Sequence, residues 1–241
     1  MTKTKLIVLI LFLPLICLGE PKVFFKIAID EKVYSSFLLE NLSASQSVLH
    51  TLASRLKEPY LDLNKVQKEY YMIKMEFGMK YNGANVTQYD FVPVLPDRFR
   101  HVVLVDEKWD HILRREVYDT HNKLIYAYSY EDRVDEPAPF VEKPSFTKYQ
   151  HREEFPGFKR IFKRELEDGT VHSLYSDGLN RFSVFVKKTE LNLEDSSRII
   201  YGNYVYRKKI GETLYTVVGT IPFPQMEKVV SRLTSKEDKS E

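Results

Sequence analysis

Residues 71–81 read YMIKMEFGMKY and are followed by Asn82-Gly83. Tyr71, Ile73, Met75, Phe77, Met79 and Tyr81 recur at every second position, with Lys74, Glu76 and Lys80 between them. Successive strand side chains point to opposite faces, so this period predicts a strand with one aromatic and methionine-rich face. Asn-Gly supplies the left-handed angles of a two-residue hairpin, which turns the chain back through residues 86–95. A meander follows: strands over 99–105, 112–118 and 124–130, with polar turns at 106–110 and 120–123. Adjacent antiparallel pairing is the simplest topology.

Upstream, residues 23–29 and 33–39 predict two further strands. The pattern then changes. Val48, Leu49, Leu52, Ala53 and Leu56 recur at helical spacing, with Ser43 or Ser45 as N-cap and Pro59 beyond the end. An antiparallel sheet with one apolar face must be covered, and this helix is the available cover, so the first domain is expected to be α+β.

Between residues 131 and 156, Pro137, Pro139, Pro144 and Pro156 sit among charges and no apolar period survives. This predicts an interdomain linker over 133–156, stiffened by proline so that it holds two bodies apart; a long surface loop of one domain is the alternative. Beyond it, strands over 158–166 and 171–175 flank Asp168-Gly169, a hairpin signal. A strand over 182–186, a polar loop over 189–198 and a hairpin of strands 201–210 and 214–218 come next. Pro224 suits a first helical turn, and Met226, Val229, Val230 and Leu233 form one apolar stripe. Residues after Thr234 read as a charged tail. The domain reading is therefore 20–132, linker, and 157–234.

The chain has 241 residues, 43% hydrophobic and 29% charged, the balance of a folded protein with a packed core. Its formal charge of +2 gives no support to a polyanion binder held by counterion release, so nucleic acid is not expected as partner. With 16 Tyr and 15 Phe against 9 Gly, the composition favours strands. Lys3 and Lys5, the apolar run 6–16 and Cys17-Leu18-Gly19 read as a secretory signal cut after Gly19. A membrane anchor and a lipid on Cys17 are the alternatives. Cys17 is the sole cysteine, so a chain cut after Gly19 has no disulfide and no cysteine-ligated metal.

No nucleophile elbow, zinc-protease helix, P-loop or dinucleotide fingerprint is present, and no catalytic, cofactor or metal residues are assigned. The six histidines lack metal-ligand spacing. Ser176 and Asp177 are adjacent, but neighbouring strand residues face opposite ways and no base lies within reach, so Ser176-Asp177-Gly178 reads as a capped turn. The basic clusters Arg114-Arg115, Lys159-Arg160, Lys163-Arg164 and Arg207-Lys208-Lys209 either solvate a sheet face or meet an acidic partner. The face of Tyr71, Ile73, Met75, Phe77 and Met79 is either ordinary core or an apolar ligand surface. Sequons at Asn41 and Asn85 matter only in a glycosylating secretory pathway and are otherwise incidental matches.

The stretch HSLYSDGLNRFSVFV, residues 172–186, resembles the C-terminal signature of the MucB/RseB family, periplasmic regulators of an envelope-stress sigma factor. Tyr215-Thr216-Val217-Val218-Gly219 with Pro222 and the following helix is similar to the family's closing strand and helix. DRFRHVVLVDEKWDHILRREVYDTHNKLIYAYSYED, residues 97–132, looks like the end of its N-terminal domain. The resemblance implies an α+β protein: a LolA-like half-barrel of antiparallel strands with a helix, here truncated, and a smaller antiparallel-sheet C-terminal domain with a terminal helix. Thr220 and Phe223 depart from the family's usual acidic residue and second proline.

The resemblance further implies a non-enzymatic periplasmic regulator that binds the periplasmic segment of an anti-sigma factor and negatively regulates its sigma factor. Expected contact residues are Arg114, Arg115, Tyr175, Ser176, Asp177, Gly178 and Leu179. A periplasmic lipid or lipoprotein carrier, taking lipid or lipopolysaccharide, is the second reading. An envelope hydrolase is the third, and would need turnover lost on Ser176→Ala.

Overall fold

The computed structural model of the chain describes residues 24–29, 33–38, 60–131, 153–200 and 202–237. Two open antiparallel sheets dominate. The first comprises β1 (Phe24–Ile29), β2 (Val33–Leu38), β3 (Tyr71–Tyr81), β4 (Ala84–Pro93), β5 (Arg100–Asp106), β6 (Ile112–Tyr118) and β7 (Leu124–Glu131). The second comprises β8 (Glu153–Phe155), β9 (Phe158–Glu165), β10 (Val171–Ser176), β11 (Arg181–Lys188), β12 (Ser196–Ile200), β13 (Asn203–Ile210) and β14 (Thr213–Gly219). One helix, α1 (Phe223–Glu237), closes the described chain.

In the first sheet the order is β2-β1-β7-β6-β5-β4-β3. The meander from β3 to β7 is the one the sequence predicts, and Asn82 (φ 45°) and Gly83 (φ 80°) make its first turn in the left-handed region. The β1–β2 hairpin adds to the far edge, with Ile29 opposite Tyr126. In the second sheet the order is β12-β13-β14-β11-β10-β9-β8, so β14 inserts beside β11 and the β12–β13 pair lies outside it.

Five sequence expectations change. The 71–81 strand does not keep one face. A bulge between Glu76 and Met79 puts one extra residue against β4, with Gly78 at φ 69°, and an extra residue reverses which side chains face the core. Tyr71 and Ile73 pack on the main core, whereas Met79 and Tyr81 pack on a separate cluster of Val86, Leu104 and Leu113 on the opposite face. Strand β12 occupies the end of the expected 189–198 loop, because Ser196 to Ile200 find partners on β13 that no local pattern announces. The expected linker ends early, since β8 takes Glu153–Phe155. Helix α1 runs past Thr234 to Glu237. The helix expected near residues 43–56 lies outside the described residues.

The two bodies are not held apart. A single buried cluster draws Tyr71, Phe91, Phe99 and Tyr128 from the first sheet and Phe158, Tyr175, Phe182 and Tyr215 from the second. Each fully buried aromatic here contributes roughly 1.5–3 kcal/mol, which outweighs a solvated gap between the sheets. Met226, Val229 and Val230 of α1, three and four residues apart, complete this cluster over β13 and β14.

Candidate functional site

The turn between β10 and β11 is built around Asp177. Its Oδ1 accepts hydrogen bonds from the backbone N–H of Leu179 (2.9 Å) and Asn180 (2.7 Å), the fold-back that Asp makes in a turn. Its Oδ2 accepts from Tyr71 Oη at 2.6 Å and Arg98 Nη1 at 3.1 Å, both from the first-sheet half of the chain. The Arg98 and Asp177 side chains are wholly buried. Burial pushes the Asp177 carboxyl above its ordinary range, while the Tyr71 hydrogen bond, the Arg98 charge and the two backbone N–H groups pull it down. Arg98 also bonds Asp97 at 2.8 and 3.0 Å and the Pro156 carbonyl at 3.2 Å, and lies 4.2 Å from the Tyr70 ring centroid.

Asn180 extends the network. Its Nδ2 donates to Tyr71 Oη (2.7 Å) and to the Phe99 carbonyl (3.3 Å), which leaves Oδ1 as acceptor for the Phe99 N–H (3.3 Å) and His101 Nε2 (3.1 Å). His101 therefore carries its proton on Nε2, and its Nδ1 accepts from Arg115 Nε at 3.2 Å. Burial, followed by the Arg115 charge, holds the His101 imidazole well below its usual pKa, so it is neutral. Arg115 Nη2 completes the circuit by donating to the Leu179 carbonyl at 3.0 Å. Gly178 (φ 95°) sits so close to the chain below that an added Cβ would lie 2.4 Å from the Lys65 carbonyl oxygen.

Beside this knot lies a cleft of about 730 Å³ where the two sheets and α1 meet. Its apolar lining includes Leu95, Phe99, Phe155, Ile199, Tyr204 and Phe223, and its polar lining includes Asp97, Asp119, His121, Lys228 and Arg232. Phe99 and Tyr204 have ring centroids 5.0 Å apart, and Tyr204 and Phe223 4.8 Å, so aromatics from β13, from α1 and from the residue just before β5 line one wall. Asp97 is held by Arg98, and Asp119 caps its own turn through the N–H of His121 and Lys123. Lys228 and Arg232 stand one helical turn apart and exposed.

The residues singled out from sequence are placed as follows. Arg115, Tyr175, Asp177 and Leu179 are buried, and Tyr175 stacks on Phe182 at 5.0 Å. Arg114 is half-buried and bonds Glu116 at 2.8 Å. Ser176 is half-buried, accepts from the Gly178 N–H (3.0 Å) and donates to the Asn180 carbonyl (3.1 Å), so its hydroxyl shapes the turn. On β3, Tyr71 is buried, Ile73 and Met79 are half-buried, and Met75 and Phe77 are exposed. Sequence reasoning missed Arg98, His101, Asn180 and the cleft aromatics, because nothing in a lone Arg or His marks the partner it will meet across a fold. Among the described residues, no group of three or more His, Cys, Asp or Glu is gathered as for a metal.

Residues 143–234 match the family described as the MucB/RseB C-terminal domain. The chain carries a MucB/RseB C-terminal domain. That match takes in the Asp177 turn, the second sheet and nearly all of α1. Beyond it, the fold of the chain is that of MucB. The structure of the Pseudomonas aeruginosa MucA/MucB complex is similar at TM-score 0.59 and 16% identity, over 86% of this chain and 91% of that one. A structure of MucB in complex with MucA(peri) is similar at TM-score 0.58 and 16% identity, over 86% and 91%. MucB alone gives TM-score 0.57 and 15% identity, over 87% and 90%. A search of curated proteins finds no match.

Proposed function

We propose that this chain is an extracytoplasmic, non-enzymatic regulator that binds the periplasmic segment of an anti-sigma factor and thereby restrains an envelope-stress sigma factor. Its signal segment is removed near Gly19. The observation that carries the reading is the cleft between the sheets and α1, within a fold shared with MucB, which is found in complex with MucA. A concave, mostly apolar site with a few polar groups at its edge suits the anchor side chains of an extended peptide. In this reading Tyr175, Ser176, Asp177, Gly178 and Leu179, with Arg115, act by fixing the two sheets against each other, and so shape the cleft. Arg114, on the half-buried side of β6, is the member of the set available to a partner.

The test is titration of the purified chain with the extracytoplasmic segment of an anti-sigma factor from the same genome, followed by calorimetry. Saturable one-site binding that is lost in Ile199→Arg is expected. Absence of binding by folded protein removes the reading.

A second reading, a lipid or lipoprotein carrier or sensor, is favoured by Met75 and Phe77, which stand 48% and 67% exposed on edge strand β3. Titration with a fluorescent fatty acid separates the two. Tight uptake lost in Phe77→Ser, without peptide binding, selects the carrier.

A further inference from the structure

One face of the second sheet is taken up by the core: Tyr175, Phe182, Val184, Tyr206, Tyr215 and Val217 are buried on it. The opposite face is only half-buried at His172, Leu174, Phe185, Val205, Thr216 and Val218, as on a sheet side open to solvent. Register places these residues together: His172 is opposite Phe185, Phe185 opposite Thr216, and Val218 opposite Val205. At the centre His172 stacks on Phe185, with ring centroids 4.2 Å apart, and meets the edge of Phe162 at 4.9 Å.

Around that aromatic patch the same register sets seven cations and, among the described strands, one carboxylate, Glu153 of β8 opposite Lys159 at the sheet's edge. Lys159 and Arg164 come from β9, Arg181 and Lys187 from β11, and Arg207 and Lys209 from β13. Arg198 on the edge strand β12 lies opposite Val205 and joins them. Two further carboxylates approach from the margins: Asp168, in the β9–β10 turn, bonds Lys187 at 2.6 Å, and Asp195, in the loop before β12, accepts from the Lys209 N–H at 3.0 Å. Arg164 lies 5.3 Å from the Phe162 ring centroid, and Arg207 Nε is buried without a hydrogen-bond partner. In a chain whose formal charge is only +2, so one-sided a face is a local electrostatic feature rather than a consequence of composition.

We propose that this face is a docking surface for an anionic phospholipid bilayer. The cations are spread over strands from β9 to β12, and neighbouring strands lie about 4.8 Å apart, so the charged field spans on the order of 25 Å in two dimensions. A single acidic peptide covers one strip of such a field and leaves the rest unanswered. A plane of phosphate headgroups answers all of it, with the Phe162–His172–Phe185 patch at the depth where aromatic rings meet the interface. This surface is on the other side of the sheet from the cleft, so bilayer docking leaves the cleft free.

The test uses the full chain with its leader removed. Co-sedimentation is measured with vesicles of phosphatidylcholine alone and of phosphatidylcholine with phosphatidylglycerol, at low salt and at about 0.5 M salt, where exposed charges are screened. Binding is expected only with phosphatidylglycerol and only at low salt. Arg164→Glu with Arg198→Glu, both exposed, lowers partitioning by about tenfold or more, given the usual worth of each basic residue near an anionic surface. Lys74→Glu with Lys80→Glu, an equal charge change on exposed positions of β3, leaves it within about twofold. Circular dichroism confirms that both variants fold. Equal binding to both vesicle types, an equal loss in both double variants, or capture of a polyglutamate peptide without vesicle binding overturns the proposal.

Discussion

Arg98 and Asp177 lie 79 residues apart in sequence and meet at 3.1 Å with no solvent on either side chain. One belongs to the first-sheet half and the other to the β10–β11 turn, so this contact and the Tyr71–Asp177 bond lock the two sheets into one relative position. The cleft beside them inherits its shape from that lock.

Removing one partner of a buried ion pair strands the other charge in the interior, at about 3–5 kcal/mol. Asp177→Ala is therefore expected to lower unfolding stability by up to that amount in urea denaturation: Arg98 keeps its pair with Asp97, but Tyr71 Oη and the Leu179 and Asn180 N–H groups lose their acceptor. Lys187→Ala, which breaks the exposed pair with Asp168, costs under about 1 kcal/mol. Equal losses in the two variants would show that the buried pair is not a lock.

Protonation of His101 opposes folding. In the unfolded chain the ring titrates near 6.5, whereas burial and Arg115 keep it neutral in the fold well below that value. The unfolded state thus binds the extra proton first, and the His101 contribution to stability is present above pH 6.5 and lost as pH falls below it. The expected slope is about 1.4 kcal/mol per pH unit from this group. His101→Gln, which can donate to Asn180 and accept from Arg115, flattens that part of the profile between about pH 5 and 6.5; thermal unfolding across this range measures it.

Two turn glycines separate backbone strain from crowding. Gly169 has φ 75° with open space around its Cβ position, and Gly178 has φ 95° with the Lys65 carbonyl in the way. Gly169→Ala is expected to cost about 1–2 kcal/mol, the penalty of a left-handed L-residue. Gly178→Ala costs more, since the loop at Lys65 must also move. Chemical denaturation of both variants ranks them.

Ile199 is 54% exposed at the cleft and makes no contribution to the buried cluster. Ile199→Arg is expected to leave stability within about 0.5 kcal/mol of the parent, as for other surface changes. Its effect on anti-sigma segment binding therefore reads the cleft and not the fold, and a parallel thermal melt makes the distinction.

Much of the secondary structure was legible from local chemistry. Period-two alternation located β5, β6, β7, β10 and β14, Asn82-Gly83 and Asp168-Gly169 located two hairpins, and a three-and-four spacing located α1. The α+β class followed from those elements, and the HSLYSDGLNRFSVFV stretch pointed to the family whose C-terminal domain the chain carries. Strand β12 was illegible because Ser196-Ser197-Arg198 has no apolar period of its own and is strand only by pairing with β13. The bulge at Gly78 was illegible for a related reason: alternation counts residues, and one residue left out of the ladder reverses the count.

The amino-acid sequence by itself determined which segments become strands, which turns they take, and that Asp177 and Gly178 shape a turn, since these depend on neighbours within a few positions. Only the tertiary structure decided that Asp177 answers Arg98 and Tyr71, that His101 is neutral, that the two sheets share one core and a cleft, and that the basic residues of four strands line one face. Those properties arise from residues tens of positions apart brought together by burial, and no local pattern records which distant partner a buried charge will find.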